Sequence, residues 1–96
     1  MTHVPAPPDA NWTADWIELD HNDWRRHFTV APAQSVSGMD PRDTLTVQVQ
    51  GEQVQTGDVL ARYGYIDGGG AFTAAQLRML AAELLNAADQ IDQLNG

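Results

Sequence analysis

The sequence predicts an α+β domain, with a small antiparallel sheet of two to three strands packed by one long C-terminal helix, and two patterns carry that expectation. From Thr44 to Gln50 the chain alternates strictly, placing Leu45, Val47 and Val49 on one side and Thr44, Thr46, Gln48 and Gln50 on the other, the period of a strand buried on one face. From Phe72 to Asn95 the apolar period becomes helical. At about 100° per residue, Leu77, Leu80, Ala81, Leu84, Leu85, Ala87, Ala88, Ile91 and Leu94 fall on one half of the cylinder. Arg78, Glu83, Asn86, Asp89, Gln90 and Gln93 take the other half.

Taken in order, the chain begins with an arm over residues 1–10, where Pro5, Pro7 and Pro8 favour a flexible or polyproline-like conformation, and a single domain spans 11–96. Residues 11–28 set Trp12, Trp16, Trp24 and Phe28 among acids with no clean period, although Trp12 and Trp16 at i and i+4 have the spacing of a short helical face. Phe28, Val30 and Ala31 read as the start of a strand, with Pro32 at an edge or bulge. Gly38 to Asp43 reads as a turn. After the alternating strand, Gly51 to Gln53 reads as a second turn. Val54 to Ile66 then reads as an extended stretch interrupted at Gly57 and Asp58, with apolar residues on both faces and therefore more central than its neighbour. The glycine triplet Gly68 to Gly70 reverses the chain into the helix. Thr73 and Gln76 have the spacing of a capping box, and Phe72 and Leu77 that of a hydrophobic staple.

The apolar half-cylinder is wider than the stripe of an ordinary surface helix, so Leu77, Leu80, Leu84, Ile91 and Leu94 are expected to lie on a sheet. The same residues also fit a heptad seam, which suits a helix pair in a homodimer.

Charge and composition exclude several functions. Thirteen acids against five bases give a net charge of −8, so direct binding to a nucleic-acid backbone is not expected. No apolar run approaches the roughly 18 residues of a membrane span, and the first residues lack the basic and apolar regions of a signal peptide, so a soluble cytoplasmic protein is expected. Without cysteine there are neither disulfides nor thiolate metal ligands.

Candidate chemistry is sparse. His21 and His27 lie near Asp20 and Asp23 but lack metal-ligand spacing, and a solvated acidic loop is the simpler reading. The glycine triplet precedes a helix N-terminus without a phosphate-loop pattern or lysine. Ser35 and Ser37 sit in no nucleophile elbow. The expectation is therefore no enzyme, no metal and no cofactor.

Three tryptophans within Trp12 to Trp24 read either as a cover for the sheet or as a partner-binding patch of Trp12, Trp16 and Trp24, since tryptophan is enriched at binding hot spots.

The stretch from Phe72 to Asp89 resembles the C-terminal helix of a loose family of short uncharacterised proteins from actinobacteria and their phages. In that family a strand pair and a Leu-Thr-x-x-Gln-Ala-x-x-Leu-Ala-x-x-Leu-x-x-Ala-Ala-Asp helix recur. Here Phe72 stands at the leading Leu and Leu77 at the inner Ala, over about a quarter of the chain. Upstream, Trp16, His21 and His27 are similar to the family's Trp and His, while its cysteines are missing. The resemblance implies a phage or prophage accessory protein in a bacterial cytoplasm and no particular activity. The functional expectation is a non-catalytic protein-binding module that modulates a host protein. The alternative is an acidic DNA mimic or antirepressor filling the basic groove of a DNA-binding protein.

Overall fold

The computed structural model describes residues 3–96. It has six strands and one helix: β1 (Ala10–Thr13), β2 (Ile17–Asp20), β3 (Asp23–Val30), β4 (Gln34–Ser37), β5 (Thr44–Val54), β6 (Val59–Gly69) and α1 (Ala74–Asn95). The α+β class holds, but the sheet has six strands where two to three were expected.

All pairings are antiparallel, and β5 is the spine. Along one edge it pairs with β6 from Thr44 to Gln53. Its other edge is shared end to end, with β4 on Thr44 to Val47 and β3 on Gln50 to Val54. The outer edge of β3 is divided likewise between β2 and β1. The stretch expected to be more central than its neighbour is thus the edge strand β6, which pairs only with β5.

Short strands account for most of the difference from expectation. β1 and β2 have four residues each, too few to show a period, and both carry register shifts. The spacing of Trp12 and Trp16 therefore marks a strand and a link, not a helical face. In β3 the inward side reads Trp24, Arg26, Phe28, Val30, an alternation disguised by the arginine. Arg26 is tolerated there because its Nε donates to Gln53 Oε1 at 2.8 Å, its Nη2 donates to the Val4 carbonyl at 3.0 Å, and its guanidinium stacks on Trp16 at 4.4 Å from the ring centroid. Strand β3 ends at Val30, and Ala31 turns the chain with φ +66°.

Gly51 to Gln53 is not a turn. β5 runs straight through it, and Gly51 is there because Phe28 pairs opposite it and lays its ring across the position a side chain would fill. A Cβ on Gly51 would sit 2.2 Å from Phe28 Cζ. The reversal comes later, between Val54 and Val59, where Gly57 takes φ +98° and donates its N–H to the Val54 carbonyl.

One face of the sheet is covered in two halves. Helix α1 packs on the half bearing Leu45, Val47 and Val49, bringing in Leu80, Ala87, Ile91 and Leu94. Its start is fixed as the sequence predicts: Gln76 N–H donates to Thr73 Oγ1 at 3.1 Å and Thr73 N–H donates to Gln76 Oε1 at 2.9 Å. The Gln76 amide also donates to the Gly38 carbonyl at 3.1 Å, tying the cap to the turn before β5.

The N-terminal segment lies over the other half. Pro7 is buried, and Gln53, 1 % exposed, donates to the carbonyls of Pro5 and Gly57 at 3.0 Å each. Arg62 grips Asp9 in a two-pronged pair at 2.8 and 3.0 Å, with both side chains largely buried. Residues 1 and 2 of the arm lie outside the described residues.

Two outcomes follow from these contacts. Gly51→Ala is expected to destabilise the fold by about 1–3 kcal/mol through overpacking against Phe28, read by chemical denaturation. The hydrogen bond from Arg62 lowers the Asp9 pKa below its ordinary value of 3.8. A lowered folded-state pKa contributes stability above the unfolded value and loses it as pH falls through the folded one. Wild type should therefore lose stability progressively below about pH 4, while Asp9→Asn should start about 1.5–3 kcal/mol less stable at neutral pH and show a flatter acid limb.

Candidate functional site: an uncovered helix flank

The helix does not bury its whole apolar half. With Leu80 and Ala87 turned to the sheet, Leu77, Ala81, Leu84, Leu85 and Ala88 form a flank to one side. Leu77 is 53 %, Leu84 40 % and Leu85 66 % exposed. Leu80 is buried, and Ile91 and Leu94 are partly buried against the core. The five residues expected on a single packing face are thus divided between sheet and solvent.

Physical scale explains the division. A helix resting on a sheet contacts it along a stripe of about 100°, so an apolar surface spanning half the cylinder exceeds what one sheet can cover. The stripe here reads Gln76, Leu80, Glu83, Ala87, Ile91 and Leu94.

On the other side of that stripe the helix stands away from the sheet. A groove of about 530 Å³ opens between Glu83, Asn86, Gln90 and Gln93 of α1 and Ala31, Pro32 and Gln34 of the β3–β4 region, floored by Val47, Val49 and Ala87. Its walls are amide and carboxylate. The uncovered leucines lie on the opposite flank, toward the β6 side of the sheet, where Ile66 is also exposed.

The three tryptophans do not form one patch. Trp12 pairs opposite Thr29 and is 59 % exposed. Trp16 is engaged by Arg26, and Trp24 is half-buried on the same side of β3 as Arg26 and Phe28. Arg26, itself bonded to the arm and to Gln53, stacks on Trp16, a contact that no spacing in the sequence records.

The sheet's other face carries hydroxyls, amides and a small polar cluster. Arg25 bridges Asp23 and Glu52 at 3.2 and 3.3 Å, His27 Nδ1 lies 3.1 Å from Tyr63 Oη, and Ser35 and Thr46 share a hydrogen bond at 2.9 Å. Burial, and then the Glu52 carboxylate, pushes the Tyr63 phenol above its ordinary pKa. His27 and Tyr63 sit on the face opposite the groove, and this cluster does not assemble a nucleophile with a base and an oxyanion site. Among the described residues no three His, Asp or Glu side chains gather as a metal site. His21 is exposed in the β2–β3 turn, and the Asp20 carboxylate accepts its backbone N–H at 2.8 Å.

Compared with family models, curated proteins and solved structures, the chain matches none.

The Tyr63 environment is directly measurable. In Tyr65→Phe, which leaves one tyrosine, ultraviolet titration is expected to place the phenolate transition above pH 10.0, and adding Glu52→Gln should bring it part of the way back.

Proposed function

We propose that this chain is a non-catalytic protein-binding module whose docking surface is the uncovered flank of α1. The observation that carries the reading is the run of exposed leucines, Leu77, Leu84 and Leu85, on a helix whose neighbouring stripe is already packed. Single exposed leucines are ordinary, whereas a contiguous apolar strip beside a packed core is characteristic of an interface. Ala81 and Ala88 between them are small enough to let a partner approach the helix backbone.

The resemblance of this helix to those of short actinobacterial and actinophage proteins supports a setting as a phage or prophage accessory factor that modulates a host protein. No helix of the described residues is long and apolar enough to cross a membrane. The acidic-mimic alternative draws on the net charge of −8 but places the recognition on carboxylates, not on leucines.

Capture of host proteins by the immobilised chain separates the two. Binding of an identified partner is expected to persist as salt rises to about 1 M, where screening extends only about 3 Å. It should weaken at least about tenfold in Leu85→Glu, as for a buried interface anchor. Binding that disappears with salt and ignores Leu85→Glu would overturn this reading in favour of mimicry.

A further inference from the structure

We infer that the occupant of the uncovered flank is a second copy of this chain, docked helix against helix and antiparallel, with the two-fold axis passing between Leu84 and Leu85. The inference rests on the protein-binding reading: in the free protein the flank is closed by a second copy, which a host protein must displace to dock there.

The spacing is self-complementary. Leu77, Ala81, Leu84 and Ala88 repeat at intervals of four, three and four, the pattern of a helix-pair seam, and Leu80, Ala87 and Leu94 form a separate line turned to the sheet. Under a two-fold axis midway between residues 84 and 85, Ala81 of one copy faces Ala88 of the other at both ends, and the leucines at 84 and 85 interleave at the centre. Alanine opposite alanine lets the helices approach closely. Leucine beside the axis then fills the middle, so bulk and hollow match without any change in the monomer.

Charge supports the same register. Arg78 is the only base on the helix, and it makes no ion pair among the described residues. Within its own helix, Ala74 and Ala82 occupy the positions four residues away, where a partner acid would have to stand. In the antiparallel pair, Arg78 and the partner's Asp92 are offset along the helix axis by only one residue's rise, about 1.5 Å, and both stand on the side of the flank away from the sheet. The partner's Asp89 follows one turn along. Glu83 and Asp89 lie off the flank and Asp92 closes its C-terminal end, so the central strip of Ala81, Leu84, Leu85 and Ala88 carries no acid.

A parallel pair would instead place Arg78 beside the partner's Arg78 and Asp92 beside the partner's Asp92. Like charges at both ends disfavour that arrangement.

Sedimentation equilibrium on the full chain at about 0.15 M salt tests this together with a charge-swap cycle. Wild type is expected to associate to a dimer at micromolar concentration, and Leu85→Glu and Ala88→Glu, both at exposed positions, should shift it to monomer with an unchanged circular dichroism spectrum. Arg78→Glu and Asp92→Arg should each weaken the dimer about tenfold, and the double variant should recover most of the loss, as oppositely charged rim pairs require.

A wild-type monomer throughout the range overturns the inference. So does a dimer indifferent to Leu85→Glu, which would place the contact elsewhere, for example at the β6 edge. A dimer lost in Leu85→Glu but without recovery in the double variant overturns the antiparallel register. The protein-binding reading fails separately: a monomer that still captures a host protein through Leu85 preserves it, and indifference of both association and capture to Leu85→Glu removes both.

Discussion

The seat of the Phe28 ring on Gly51 is the contact on which the rest of this structure depends. Phe28 is fully buried, the largest side chain so placed, and it lies where the helix-covered and arm-covered halves of the sheet face meet. On one side its neighbours are Val49, Val47 and Ala87. On the other they are Gly51, Gln53 and Arg62, whose guanidinium stands 5.9 Å from the ring centroid. Moving the ring would break the apolar half and the polar half of the core together. It also fixes the register of β3 on β5, because a slip of one residue would put a side chain where the ring must lie.

Around that contact the two halves are held by different physics. The helix half is apolar and its strength lies in buried area. The arm half is a network of charge-assisted and amide hydrogen bonds, in which Gln53 and Arg26 satisfy the carbonyls of Val4, Pro5 and Gly57. Every buried polar side-chain atom among the described residues has a partner, which a network in low dielectric requires. Prolines suit this role: a segment lacking N–H groups at positions 5, 7 and 8 can offer its carbonyls without leaving donors unmet.

How much of this was legible follows from the same division. Long, regular elements announced themselves: the alternation from Thr44 to Gln50 and the capping box and period of α1 are set by local chemistry, and both are present in the fold, although β5 runs on past the expected turn to Val54. What local chemistry cannot show is a residue whose environment is supplied from far along the chain. Gly51 looks like a turn because glycine usually marks one, and only Phe28, twenty-three positions earlier, explains it as a packing hollow. Arg26 hides the alternation of β3 because its partners are Val4, Trp16 and Gln53. The tryptophans cluster in sequence but not in space, since Trp12 pairs opposite Thr29, whereas Trp16 meets Arg26 and Trp24 lies on Arg26's side of β3.

The helix is the instructive case, for the width of its apolar face was visible from the start and meant more than one thing. A sheet offers a helix a single line of contact, and Leu80, Ala87, Ile91 and Leu94 use it. Leu77, Leu84 and Leu85 are therefore surplus to the packing of one chain. Such residues raise the cost of solubility while much of their apolar area goes unused in the monomer. Apolar width beyond one stripe thus leaves two lines on this helix: one meets the chain's own sheet, and the other is the surface on which the proposed docking rests. The proposed function therefore rests on the unburied leucines and not on Trp16, Trp24 or His27, which already have partners or cover within the fold.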